Sequence, residues 1–197
     1  MAASKLPSIP EQYLIDLNDY EKDRSIKPKS GSYGIVYFQR HKRTKKRVVR
    51  KEITLLLYEP QMRQSFFREI EILMKCHHPA IVPFVGAHVE SQFGYIYLEA
   101  MPRGSLYEVI QKFKKVKKDK WNDARKLIIS YGIASAMNYL HANSVVHRDL
   151  KPGNVLLDKS FHPYVADFGT AKSLRVISSN QTTFMETTPY IMAPEYI

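Results

Sequence analysis

The sequence predicts an α+β fold in two lobes, an antiparallel sheet carrying one helix followed by a part that opens on a long helix. Three observations predict it. Short runs rich in β-branched and aromatic residues fill most of the first hundred positions, and one segment of helical period sits among them. A longer helical stretch then opens the second half, after which only short extended pieces remain.

Residues 1–19 are polar, carry Pro7 and Pro10, and read as an N-terminal arm or a single packed segment. The runs from Ile35 to Phe38 and from Arg47 to Ile53 read as two strands, and the basic stretch HKRTKK between them as a tight turn, which together make a hairpin. After Pro60, QMRQSFFREIEILMKC places Phe66, Ile70, Leu73 and Met74 along one helical face and leaves Arg68, Glu69 and Glu71 to other faces. IVPFVG and YIYLEAM follow as buried strands, divided by ESQFG with Gly94 as its turn signal. PRGS near residue 102 reads as a hinge, dividing a lobe over 20–101 from one over 102–197. WNDARKLIISYGIASAMNYLHA then predicts a long helix capped by Asn122, with Leu127, Tyr131, Ala134, Met137 and Leu140 on its apolar face. VVHRDL, NVLL and YVADF are short extended pieces punctuated by Gly153 and Gly169.

With 44% hydrophobic and 25% charged residues, this 197-residue chain is globular and not disordered. A single Cys excludes a disulfide framework and points to the reduced interior of a cell, so a cytoplasmic location is expected. The N-terminal MAASKLPSIPEQ has no apolar signal core, and no stretch nears the roughly 20 apolar residues of a membrane span. The net charge of +11 is local: residues 40–51 hold eight Lys or Arg and no acid, residues 112–120 hold six Lys and one Asp, and the rest carries 16 bases against 18 acids. Phe113 is the sole aromatic interleaved with these runs and no nucleic-acid motif accompanies them, so a nucleic-acid partner is not expected.

The segment HRDLKPGN, residues 147–154, places an acid, a base and an amide within six positions at Asp149, Lys151 and Asn154. Such a set suits phosphoryl transfer, where positioning and positive charge near phosphate oxygens supply most of the rate. Thirteen residues beyond Asn154 comes Asp167-Phe168-Gly169, and Ala193-Pro194-Glu195 closes the stretch. In this order and spacing the three motifs resemble those of eukaryotic protein kinases of the serine/threonine type, and the resemblance runs from about Tyr20 to Ile197. It implies a two-lobed protein-kinase-like fold, ATP and Mg2+ as cofactors, and protein Ser or Thr hydroxyls as acceptors. The acceptor class follows from Lys151 and Pro152, which stand where tyrosine kinases usually carry other residues. By the same resemblance Asp149 takes or orients the proton of the acceptor hydroxyl, Lys151 faces the transferring group, and Asn154 and Asp167 hold magnesium, an ion that takes few protein ligands. Arg148 is expected to meet a phosphate on the activation segment, with Ser178, Ser179, Thr182 and Thr183 as candidates.

The first half supplies a matching nucleotide site. KSGSYGIVY resembles the family's glycine-rich turn, with Gly31, Gly34 and Val36 in place and Lys29 where its first glycine stands; glycine lets backbone amides approach phosphates. Seventeen residues after Gly34, Lys51 takes the position of the lysine on the α and β phosphates, and Val49 that of a cover for adenine. Strand alternation puts 49 and 51 on one face and Arg50 on the other. The resemblance makes Glu69 the partner that orients Lys51. It also makes Leu98 the gate of the pocket, the backbone of Glu99 and Met101 the contacts to the adenine edge, and Leu156 the pocket floor. In TTPYIMAPE, Thr188 is kept while Thr187 and Ile191 replace the family's glycine and tyrosine. The chain ends two residues after Glu195, short of the helices with which the family's helical lobe continues. A C-terminally truncated kinase domain is therefore expected, the alternative being a weakly active or inactive module that binds nucleotide or protein partners.

Overall fold

A computed structural model describes residues 9–31, 34–55, 60–115 and 121–173. They divide into two units: the described residues up to Lys75 with Pro83–Ala100, and Cys76–Val82 with the described residues from Met101 onward.

The first unit is the antiparallel sheet with one helix that the sequence predicts. Its strands are β1 (Tyr20–Lys22), β2 (Lys29–Gly31), β3 (Gly34–His41), β4 (Arg47–Thr54), β5 (Phe84–Val89) and β6 (Phe93–Glu99). They run in the order β1-β3-β4-β6-β5, with β2 also against β3. HKRTKK closes the β3–β4 hairpin, His41 N donating to Lys46 O at 2.9 Å. β5 begins later than expected, at Phe84. Pro83 brings no N–H to a ladder, and Val82 N donates instead to Val165 O at 2.9 Å, beside a parallel bridge between Ile81 and Val165.

Helix α1 (Pro60–Lys75) buries Phe66, Phe67, Ile70, Ile72 and Leu73. Glu69, read off the apolar face and expected as the partner of Lys51, is also buried, at 1% exposure. On the sheet, Ile15, Leu17 and Tyr20 pack against Val48, Tyr95 and Tyr97. The segment leading into them is pinned to β5: Ile15 N donates to Ala87 O at 3.0 Å, His88 Nδ1 lies 2.8 Å from Ile15 O, and the Tyr13 and Phe84 rings sit 5.2 Å apart.

The second unit holds α2 (Leu106–Lys115), α3 (Asp123–Ala142) and two small antiparallel pairs, β7 (Val145–Val146) with β10 (Lys172–Ser173) and β8 (Val155–Leu157) with β9 (Pro163–Val165). α2 has no counterpart in the sequence reading, although its signal is present. Ser105 Oγ accepts from Glu108 N at 3.2 Å while Glu108 Oε2 accepts from Ser105 N at 2.9 Å, a reciprocal cap. α3 starts on the expected cap, Asn122 Oδ1 accepting from Arg125 N at 3.1 Å. The core joins Leu106, Val109, Ile129, Val155, Leu157 and Phe161. Among the described residues no helix is long and apolar enough to cross a membrane.

The apolar face of α3 agrees with the expected one only in part: Leu140 is buried as expected, while Ala134 is exposed. Leu127 and Tyr131 are 71% and 75% exposed, whereas Ile129, Ala136 and Leu140 are buried. The reason is a close approach: a Cβ on Gly132 would stand 2.4 Å from Pro163 Cγ, so β9 reaches the helix only along the stripe containing Gly132. Leu140→Ala should therefore cost about 2–5 kcal/mol in urea unfolding, and Leu127→Ala, despite its helical period, no more than about 0.5 kcal/mol.

Candidate active site

In the first unit, β4 carries two of the expected site residues, Val49 and Lys51. Lys51 pairs across the sheet with Val36 on β3 and Ile96 on β6, and Val49 with Phe38 and Leu98, so these side chains share one face. Lys51 Nζ donates to Glu69 Oε2 at 2.7 Å, with the two side chains 12% and 2% exposed. This contact is why a glutamate is buried in α1. Glu71 instead meets Lys75 at 2.6 Å on the helix surface. Arg50, next to Lys51 in sequence, lies on the opposite face, its guanidinium 4.6 Å from the Tyr37 ring centre and 4.9 Å from that of Tyr95, bonded to Glu52 at 2.8 Å.

Gly31 and Gly34 face each other across β2 and β3. Gly34 has φ +145°, and a Cβ there would stand 1.9 Å from Glu52 O, so no other residue fits. Lys29 is paired with Val36 at the start of β2. Glu99, exposed at the end of β6, donates its N–H to Pro83 O at 3.0 Å.

In the second unit the loop after β7 gathers the predicted residues. Lys151 Nζ lies 2.7 Å from Asp149 Oδ2, and Asn154 Nδ2 donates to the same oxygen at 2.9 Å and to Asp149 O at 2.8 Å. Pro152–Asn154 forms a 3-10 turn that brings the amide back to Asp149. Asn154 O accepts from Ala166 N at 2.9 Å, which ties the loop to the residue before Asp167. Arg148 and Asp167 both hold left-handed backbone, φ 66° and 67°. Leu156, half-buried on β8, pairs with Tyr164 and bridges to Ser105, and Met101 is buried, its carbonyl accepting from Gly104 N at 3.1 Å. The motif Ala193-Pro194-Glu195, with Thr187, Thr188, Ile191, Ser178, Ser179, Thr182 and Thr183, lies outside the described residues.

Two residues gain parts that sequence reading did not give them. His147, fully buried, accepts from Asp149 N through Nδ1 at 3.3 Å and lies 3.0 Å from Ala166 O through Nε2, so one neutral tautomer satisfies both bonds. Thr170 O accepts from the Arg148 guanidinium through Nε at 2.6 Å and a terminal nitrogen, and Thr170 Oγ1 donates to His147 O at 3.3 Å.

Residues 27–197 match the family model described as a protein kinase domain. The chain belongs to the protein kinase family. Among curated relatives, the dual specificity protein kinase shkB of Dictyostelium discoideum is 31% identical over 186 residues, covering 94% of this chain and 28% of its own length. The mitogen-activated protein kinase kinase kinase YODA of Arabidopsis thaliana is 35% identical over 170 residues, covering 85% and 18%. The serine/threonine-protein kinase STY17 of Arabidopsis thaliana is 33% identical over 193 residues, covering 95% and 31%. This kinase chain thus spans less than a third of the length of each of these relatives.

Burial holds the imidazole of His147 below its ordinary 6.5, outweighing the bond to Ala166 and the nearby charges of Asp167 and Asp149. The unfolded chain takes this proton near pH 6.5 and the folded kinase domain only lower. Stability from this group is therefore present at neutral pH and lost as pH falls through 6.5 toward the folded value. His147→Gln keeps one donor and one acceptor but no proton to gain. Thermal melts taken from about pH 7.5 to about pH 5.5 should show a shallower decline in the variant than in the parent; equal slopes would contradict the assignment.

Proposed function

We propose that this kinase chain transfers the γ-phosphoryl group of ATP to Ser or Thr hydroxyls of proteins. The observation that carries the reading is the buried Asp149 carboxylate, clamped on one oxygen by Lys151 Nζ at 2.7 Å and Asn154 Nδ2 at 2.9 Å. A carboxylate fixed this way can accept the proton of an incoming hydroxyl as that oxygen bonds to phosphorus and the bond from phosphorus to the ADP oxygen breaks. Lys151 offsets negative charge on the transferring group. The serine/threonine and dual specificity kinases among the relatives support the acceptor class.

In this reading residues 20–101 bind the nucleotide, residues 102–197 carry the catalytic loop, and the N-terminal segment of residues 1–19 packs on the first unit through Tyr13, Ile15 and Leu17. Lys51, oriented by Glu69, holds the α and β phosphates, with the backbone at Gly31 and Gly34 approaching them. Val36, Val49 and Leu156 give apolar cover to the adenine, whose edge bonds the backbone of Glu99 and Met101. Because the Glu99 N–H is engaged by Pro83 O, its carbonyl is the group it offers. Asn154 spends its amide hydrogens on Asp149, which turns Oδ1 the other way. That oxygen and the Asp167 carboxylate are hard ligands of the kind Mg2+ takes; they would hold the ion, which would neutralise phosphate charge. A cytoplasmic location accords with the need for ATP and with Cys76, the sole cysteine, being a buried thiol outside any disulfide.

The test is transfer of radiolabelled phosphate from ATP to a protein acceptor. Asp149→Asn should lower kcat about 10²–10⁴-fold with nucleotide affinity nearly unchanged, whereas Lys51→Met should weaken nucleotide binding as well. Transfer that survives Asp149→Asn at the parent rate would sink the assignment.

A further inference from the structure

The basic turn between β3 and β4 has no part in phosphoryl transfer. Residues 40–47 hold six Lys or Arg and no acid. Three of the six are compensated locally: Arg40 and Arg47 meet the buried Asp23 carboxylate at 3.1 and 3.4 Å, and Lys45 meets Glu21 at 3.2 Å. The other three, Lys42, Arg43 and Lys46, are exposed and have no ion-pair partner among the described residues. The backbone beneath them is braced. Lys45 N donates to His41 O at 2.8 Å, Lys42 N to Asp19 O at 2.8 Å, and the His41 ring accepts at Nδ1 from Arg43 N and Thr44 N, both at 3.2 Å.

We propose that this hairpin tip docks on the surface of an anionic phospholipid bilayer. A flat polyanionic surface asks only for several cations that reach it together, which long Lys and Arg stems on one braced turn supply. Residues 42–46, Lys, Arg, Thr, Lys and Lys, offer bases no aromatic ring to stack on, so a nucleic acid would be held chiefly through its phosphates, and binding to an oligonucleotide is the competing outcome of the test. Nor does it offer an acidic peptide a free strand edge, because β3 and β4 are paired on their outer sides with β1 and β6. With no apolar side chain in residues 42–46, the attraction is electrostatic, reversible and screened by salt.

The experiment is co-sedimentation of the full chain with phosphatidylcholine vesicles, with and without phosphatidylserine. Binding should need phosphatidylserine and should fall away as salt rises from about 0.05 to about 0.5 M. Each surface base is worth about fivefold in partitioning, so Lys42→Gln, Arg43→Gln and Lys46→Gln together should lower it by about a hundredfold. Lys112→Gln with Lys114→Gln, on α2 in the other basic run, should leave it nearly unchanged. Circular dichroism melting reports whether the triple variant folds; should it not, Lys42→Glu alone must still reduce binding by more than about fivefold. The proposal is overturned if the tip variant binds like the parent or if the α2 variant loses as much. Tighter binding to poly-glutamate or to a single-stranded oligonucleotide at the same salt would also overturn it.

Discussion

Asn154 makes two hydrogen bonds through one amide nitrogen, both to Asp149, while its backbone carbonyl holds Ala166 N and its own N–H returns to Lys151 O at 2.9 Å. One buried side chain thereby closes the loop on itself and fastens it to the strand that leads to Asp167. The arrangement matters because Asp149 is only 6% exposed. A carboxylate so enclosed is tolerable only when its lone pairs are met by donors and a cation. The left-handed backbone at Arg148 and Asp167 adds a cost of about 1–3 kcal/mol at each position, which persists only where the surroundings leave no other conformation. Arg148 is held by Thr170 O, and His147 by bonds on both ring nitrogens.

In the first unit the equivalent constraint is the period of two along β4. Arg50 and Lys51 are adjacent bases that never compete, since alternation sends them to opposite faces where each meets its own carboxylate. Arg50 settles between two tyrosine rings. Burial and the bond to Glu90 push the Tyr95 phenol up to about 12, so the ring remains neutral and presents its π face to the guanidinium at any physiological pH.

Much of this was legible in the chain itself. The β3–β4 hairpin, α1 and the Asn122 cap of α3 follow from local pattern: alternation, helical period and a side chain that accepts from the first turn. The gathering of Asp149, Lys151 and Asn154 was also readable, because six consecutive positions cannot spread far. What stayed hidden depends on contacts between distant residues. α3 is apolar on more than one side, and only the approach of Pro163 to Gly132 selects the buried stripe. Local pattern alone does not pair Glu69 with Lys51, a lysine eighteen positions earlier on a strand; only the resemblance to the family named that partner. The His147 tautomer depends on a carbonyl nineteen residues away. α2 was obscured differently: its capping box follows directly on a Pro and Gly pair that punctuates the chain as a boundary.

The segment pinned along β5 also bears on how the sheet ends. β5 is an edge strand, and an open edge is a template on which another chain can add. Here Ile15 takes the Ala87 carbonyl and His88 reaches back to Ile15, so part of that edge is already occupied by the chain's own backbone. At the other side β1 and β2 are three residues each, and β1 ends on a lysine. Both margins are thereby blunted against strand-by-strand growth, a safeguard against self-association that resides in residues remote from any chemistry the domain performs.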